Sequence, residues 1–185
     1  MAEGVSRKPV LINPTWEQMV ERDPLIAFSF YLDGRKSVLI AVANEVVENL
    51  DGGFSGPAVD GGRITRADDL MWLWTLGAYE VIRTMCQAKE CFAESVRREL
   101  GSLKLELAAA RMPAAKMERA RTSTPVPSSR SSSGWDVANR DLLVGDPTST
   151  TISARRLLSR FQQVVSSIRP SDILKPHEDS YRKKA

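Results

Sequence analysis

The chain has 185 residues, 42% apolar and 26% charged, enough for one domain with a core and too apolar for a wholly disordered protein. Its net charge of +3, with a pI near 9.0, is concentrated between residues 111 and 134, where Arg111, Lys116, Arg119, Arg121 and Arg130 stand against Glu118 alone. The remainder is close to neutral, which argues against the broadly basic surface of a dedicated nucleic-acid binder.

Met1 to Pro9 carries charges with no apolar run behind them, so no signal peptide is expected and a cytoplasmic location is. Thr15 and Gln18 have capping-box spacing and predict a short helix through Trp16, Met19 and Val20. Asp23-Pro24 then restarts the chain in a cap-then-proline pattern. From there Leu25, Phe28, Leu32, Leu39, Val42, Val46 and Leu50 recur every three or four residues, interrupted at Arg35, and predict one long helix. A hairpin over 26–42 is the rival reading, because Ile26, Phe28, Phe30 and Leu32 alternate ahead of Asp33-Gly34. The alternation fails at Asn44 to Glu48, where the helical spacing continues.

Five glycines and a proline between Asp51 and Gly62 predict a loop, and no Gly-Lys-Ser/Thr follows to make it a phosphate cradle. Thr65 with Asp68 opens the next predicted helix, with Leu70, Trp74, Gly77, Val81, Met85 and Phe92 near one stripe and Leu73, Ala78 and Ile82 widening it. Its most apolar run, Leu70 to Ile82, contains Glu80 and falls short of the roughly 18–20 residues that span a bilayer, so no membrane association is expected. After a break near Cys91 to Ser95, Val96, Leu100, Leu103, Leu107 and Ala110 repeat at alternating spacings of four and three until Pro113. The two helices predict an antiparallel hairpin from about Arg66 to about Arg111, with Gly77 and Ala78 facing Ala108, Ala109 and Ala110.

The predicted fold is therefore mainly α. A helical bundle domain over 1–118 is followed by a disordered Ser/Pro/Arg linker over 119–134. A short β-hairpin and a helix over 135–169 dock on the bundle, and a flexible basic tail runs over 170–185. The extended segments are Trp135-Asp136-Val137, Leu142-Leu143-Val144 and Thr150-Thr151-Ile152. Ser153 caps the last helix, whose apolar face is Leu157, Phe161, Val164, Val165 and Ile168.

Little in this inventory carries chemistry. Cys86 and Cys91, five apart on a predicted helix, point about 140° apart and read as free thiols. His177, the sole histidine, sits in the tail, which removes most His-based catalytic and zinc arrangements; no metal and no cofactor is expected. Asp68 with Asp69, and Glu45 with Glu48, read as solvated helix faces, whereas Arg155, Arg156 and Arg160 fit either phosphate contact or a soluble helix surface. The candidate polar or phosphate-binding cluster is Tyr79, Glu80 and Arg83, joined by Arg111 and Lys116. Glu80 and Arg83 are helix neighbours at i,i+3, and Tyr79 reaches Arg83 at i,i+4.

The run Arg111-Met112-Pro113-Ala114-Ala115-Lys116, closing a helical hairpin, resembles the HEPN family of prokaryotic helical bundles over roughly Pro24 to Glu118. The family signature is Arg, a few variable residues, then His. The resemblance implies a role on RNA or nucleotides of the toxin–antitoxin or phage-defence kind, with Arg111 carried over by type. Lys116 stands where the catalytic His would be, and a lysine with pKa near 10 holds a phosphate but is a poor base at neutral pH. The expectation from the residues themselves is a non-catalytic interaction or regulatory protein that binds a protein partner or itself, with at most weak RNA binding.

Overall fold

The structure is a computed structural model describing residues 12–118, 124–126, 133–146 and 150–180. It is mainly α, with five α-helices and one three-stranded antiparallel sheet among the described residues. The predicted capping box forms: the Thr15 hydroxyl accepts from Gln18 N–H, the Gln18 side chain accepts from Thr15 N–H, and α1 (Trp16–Arg22) follows.

Asp23-Pro24 opens only one 3-10 turn, Pro24–Ala27. The long helix begins later, at α2 (Phe30–Gly53), because Ser29 accepts the Leu32 N–H as its cap. Residues 30–42 are thus helical, and the hairpin alternative falls. The seam is also shifted by one residue from the predicted break: Leu32, Lys36, Leu39, Ala43, Val46 and Leu50 are buried, while Arg35 is exposed.

The predicted glycine loop shrinks to Phe54–Asp60. Asp60 caps the next helix through the N–H groups of Gly62 and Arg63, so α3 (Gly61–Gln87) starts four residues before Thr65. Gly53 is required where α2 meets it, since a Cβ there would overlap the buried Ile64 side chain.

The expected antiparallel hairpin is present as α3 and α4 (Glu94–Lys116), and Val96, Leu100, Leu103, Leu107 and Ala110 are all buried. Pro113 does not end α4. The helix continues one turn and closes at Met117, whose left-handed backbone (φ 53°) directs its N–H to the Pro113 carbonyl at 3.1 Å. Gly77 does not serve the α3–α4 contact: a Cβ there would lie 3.1 Å from Leu39 Cδ2, so it allows close approach to α2 instead.

Strands β1 (Ser133–Asp136), β2 (Asp141–Asp146) and β3 (Thr150–Ser153) pair in the order β1-β2-β3, one strand more than a hairpin. β1 begins inside the segment expected to be a linker; within 119–132 only 124–126 are described, and Val126 N–H there bonds to the Met117 carbonyl at 2.8 Å. Leu142 and Val144 are buried, and Ser133 donates to Asp68 on α3 at 2.8 Å. Burial pushes the Asp68 carboxyl up, an effect the Ser133 hydroxyl partly opposes.

Ser153 caps α5 (Ala154–Ser167) by accepting from Arg156 N–H. All five predicted apolar residues of this terminal segment are buried, and Phe161 meets Trp74 edge-on with ring centroids 5.3 Å apart. Asp141, 4% exposed, joins sheet to helix by accepting from the Ser153 hydroxyl and the Arg155 N–H. Asp141→Ala is expected to cost about 1–3 kcal/mol, because it strands buried donors, and to lower the thermal midpoint. An unchanged midpoint would show that water replaces the carboxylate.

The expectation of a flexible tail fails for residues 170–180. Ile173 bridges Phe92, Leu174 N–H bonds to the Cys91 carbonyl, and His177 N–H bonds to the Phe28 carbonyl. The carbonyls of Phe28 and Cys91, at the ends of the 3-10 turns at residues 24–27 and 89–91, supply the acceptors that hold this segment.

Candidate functional site

Four of the five predicted cluster residues come together. On α3, one Glu80 oxygen accepts from Arg83 Nε at 2.7 Å, and the other lies 3.8 Å from an Arg111 nitrogen on α4. The Arg111 guanidinium covers the Tyr79 ring, 4.6 Å from its centroid. Tyr79 therefore pairs with Arg111 across the helix interface and not with Arg83 along its own helix, since a planar guanidinium gains more from a ring face than from an edge contact. Lys116 is exposed, and no described contact joins it to the cluster. Five positions beyond Arg111 on a helix, it points about 140° away.

This geometry is an ion-pair network that links α3 to α4. Glu80 and Arg83 are nearly half exposed, so solvent screens the pair and it adds little stability. The buried Arg111 Nε has no hydrogen-bond partner among the described protein atoms.

Glu80 also stands on the edge of a groove of about 550 Å³ between α2 and α3. Tyr31, Arg35 and Val38 line one wall and Gly77, Glu80 and Thr84 the other, over a floor that includes Leu32, Leu39 and Val81. Helical geometry explains the walls: Tyr31, Arg35 and Val38 lie at i, i+4 and i+7, as do Gly77 and Thr84. The absence of a side chain at Gly77 deepens the middle. Arg35 donates to the Tyr31 hydroxyl at 2.7 Å, which holds both on the same wall. Sequence reasoning missed this groove because it assigned α2 a single seam; the overlooked signal was the adjacent pair Phe30-Tyr31, which one seam cannot bury.

Groups suited to proton transfer are sparse here. Burial raises the thiols of Cys86 and Cys91, which keeps them protonated and weakly nucleophilic. His177 lines one end of the groove, its ring 5.0 Å from Phe28. No group of three or more potential metal-ligating side chains occurs among the described residues, and none of the described helices is long and apolar enough to cross a membrane. Compared with known proteins, the chain matches no family model, no curated protein and no solved structure.

Proposed function

We propose that the chain is a non-catalytic helical interaction or regulatory protein, acting in the cytoplasm, that self-associates through the groove between α2 and α3. The observation that carries this reading is the set of large apolar side chains left exposed around the groove. Tyr31 and Val38, which line it, are 70% and 56% exposed; Phe30, next to Tyr31, and Leu73, one helical turn before Gly77, are 71% and 54% exposed. Rings and branched side chains gathered at a preformed concavity mark an association surface. The occupant is a second copy, because the walls carry both signs, Arg35 opposite Glu80, and an identical surface set against them by a two-fold axis meets no net repulsion. Two free cysteines suit a reducing compartment.

Light scattering of the sized protein tests this directly. A dimer is expected that dissociates on dilution, and Val38→Glu is expected to be monomeric with an unchanged thermal midpoint, since residue 38 is exposed. A monomer at every concentration, or a Val38→Glu variant that still pairs, overturns self-association through this groove.

The two guanidiniums of Arg83 and Arg111, gathered at Glu80, favour a second reading, a HEPN-like RNA- or nucleotide-binding protein in which Arg111 and Arg83 meet phosphate. Nucleic acid that copurifies at low salt and leaves at high salt would support it.

A further inference from the structure

A second groove, of about 610 Å³, lies between α3 and α4 toward the turn that joins them. Met85 and Leu100 are fully buried in its floor, beside the half-buried Cys86, and Leu105, 52% exposed, forms part of its edge. Around this apolar floor stand Lys89, Arg97, Arg98 and Lys104, against Glu94 as the one lining carboxylate among the described residues.

The charge is segregated for a structural reason. Of the acids on α4, Glu99 and Glu106 face α5, where they meet Arg156 and Arg160. Arg97 and Lys104 occupy the other side of the helix and Arg98 lies between the two sides, and neither they nor Lys89 takes part in a described ion pair, although most arginines of the fold do. Gly101 sits among them, and a Cβ built there meets nothing within 4 Å. The groove is open at its centre.

We infer that this groove docks an acidic amphipathic helix of a partner protein, its apolar stripe on Leu105 and the half-buried Cys86 and its carboxylates against Lys89, Arg97, Arg98 and Lys104. The surface is distinct from the groove proposed for self-association. An apolar floor between basic walls complements such a helix. Nucleic acid fits less well, because among the described residues no aromatic ring lines the groove to stack a base. This chain's own undescribed segments are basic, with Arg119, Arg121, Arg130, Arg182, Lys183 and Lys184, and would be repelled.

The test uses the full chain and a fluorescent peptide of about 18 residues, five helical turns, with Leu at i, i+3, i+4 and i+7 positions and Glu elsewhere. Saturable binding is expected that weakens as salt rises, that is about tenfold or more weaker in Arg97→Glu/Arg98→Glu, and that slows alkylation of Cys86. Gly101→Leu fills the groove without altering a charge or burdening the helix, and is expected to abolish binding while the fold is retained. The proposal is overturned if the peptide does not bind, if Gly101→Leu binds normally, or if a peptide with Lys in place of Glu binds equally. Tighter binding of a single-stranded RNA, with equal protection of Cys86, would also overturn it and assign the groove to nucleic acid.

Discussion

Trp74→Ala is expected to cost about 3–5 kcal/mol, the range for truncating a large buried aromatic. Trp74 is 1% exposed at the centre of α3, its indole N–H bonds to the Leu39 carbonyl at 3.0 Å, and its ring takes the edge of Phe161. One side chain thus ties α2, α3 and α5 together. Its removal opens a cavity, leaves the Leu39 carbonyl without that donor and weakens the seat of α5. Urea denaturation should show a lower midpoint with little change in slope. Trp74→Phe keeps the ring contact and loses the hydrogen bond, so its loss should be about 1–2 kcal/mol. Equal losses in the two variants would mean that packing against Phe161 contributes nothing.

The second large effect is expected at Lys36, where a charge occupies the apolar seam of α2. Its ammonium pairs with Asp33 one turn earlier and lies 3.5 Å from Asp23, which precedes the 3-10 turn at residues 24–27. Asp33 and Lys36 are both at most 9% exposed. Lys36→Ala leaves the Asp33 carboxylate buried without its counter-ion and should cost about 3 kcal/mol, near the lower end for breaking a buried pair. Replacing both, as Asp33→Leu with Lys36→Met, should be close to neutral or stabilising, because neither desolvated charge then remains. Thermal denaturation of the single and double variants forms a coupling cycle. A double variant as unstable as Lys36→Ala would show that the pair is held for more than mutual neutralisation.

Where local chemistry and tertiary packing agree, the sequence was legible. The Thr15–Gln18 capping box, the Ser153 cap, the heptad-like seam from Val96 to Ala110 and the amphipathic face of the last helix all form as their spacing requires. Each depends on residues within a turn or two of one another. Boundaries were less legible. Asp60 competes with Thr65 for the start of α3 and wins by accepting from two free N–H groups, while Pro113 is accommodated because Met117 closes the helix beyond it.

The candidate cluster was half legible for the same reason. Glu80 with Arg83 is an i,i+3 pair on one helix, and the sequence supplies it. Arg111 reaches Tyr79 and Glu80 from another helix, and spacing says nothing about which residues meet across such an interface. Lys116 was grouped with Arg111 by nearness in sequence, but five residues of helix turn it to another direction.

By itself the sequence determined the mainly helical architecture, the α3–α4 hairpin and the caps at Thr15 and Ser153, because periodicity and capping act over one or two turns. Only the tertiary structure decided that Gly77 opens toward Leu39, that Lys36 and not Arg35 enters the seam, that residues 170–180 dock, and that unpaired cations surround a groove beside Cys86. The physical reason is that the helix contacts depend on the rotation of one helix about its axis relative to its neighbour, and the docking of residues 170–180 depends on carbonyls of Phe28 and Cys91 far away in sequence. That rotation is set by the whole core at once.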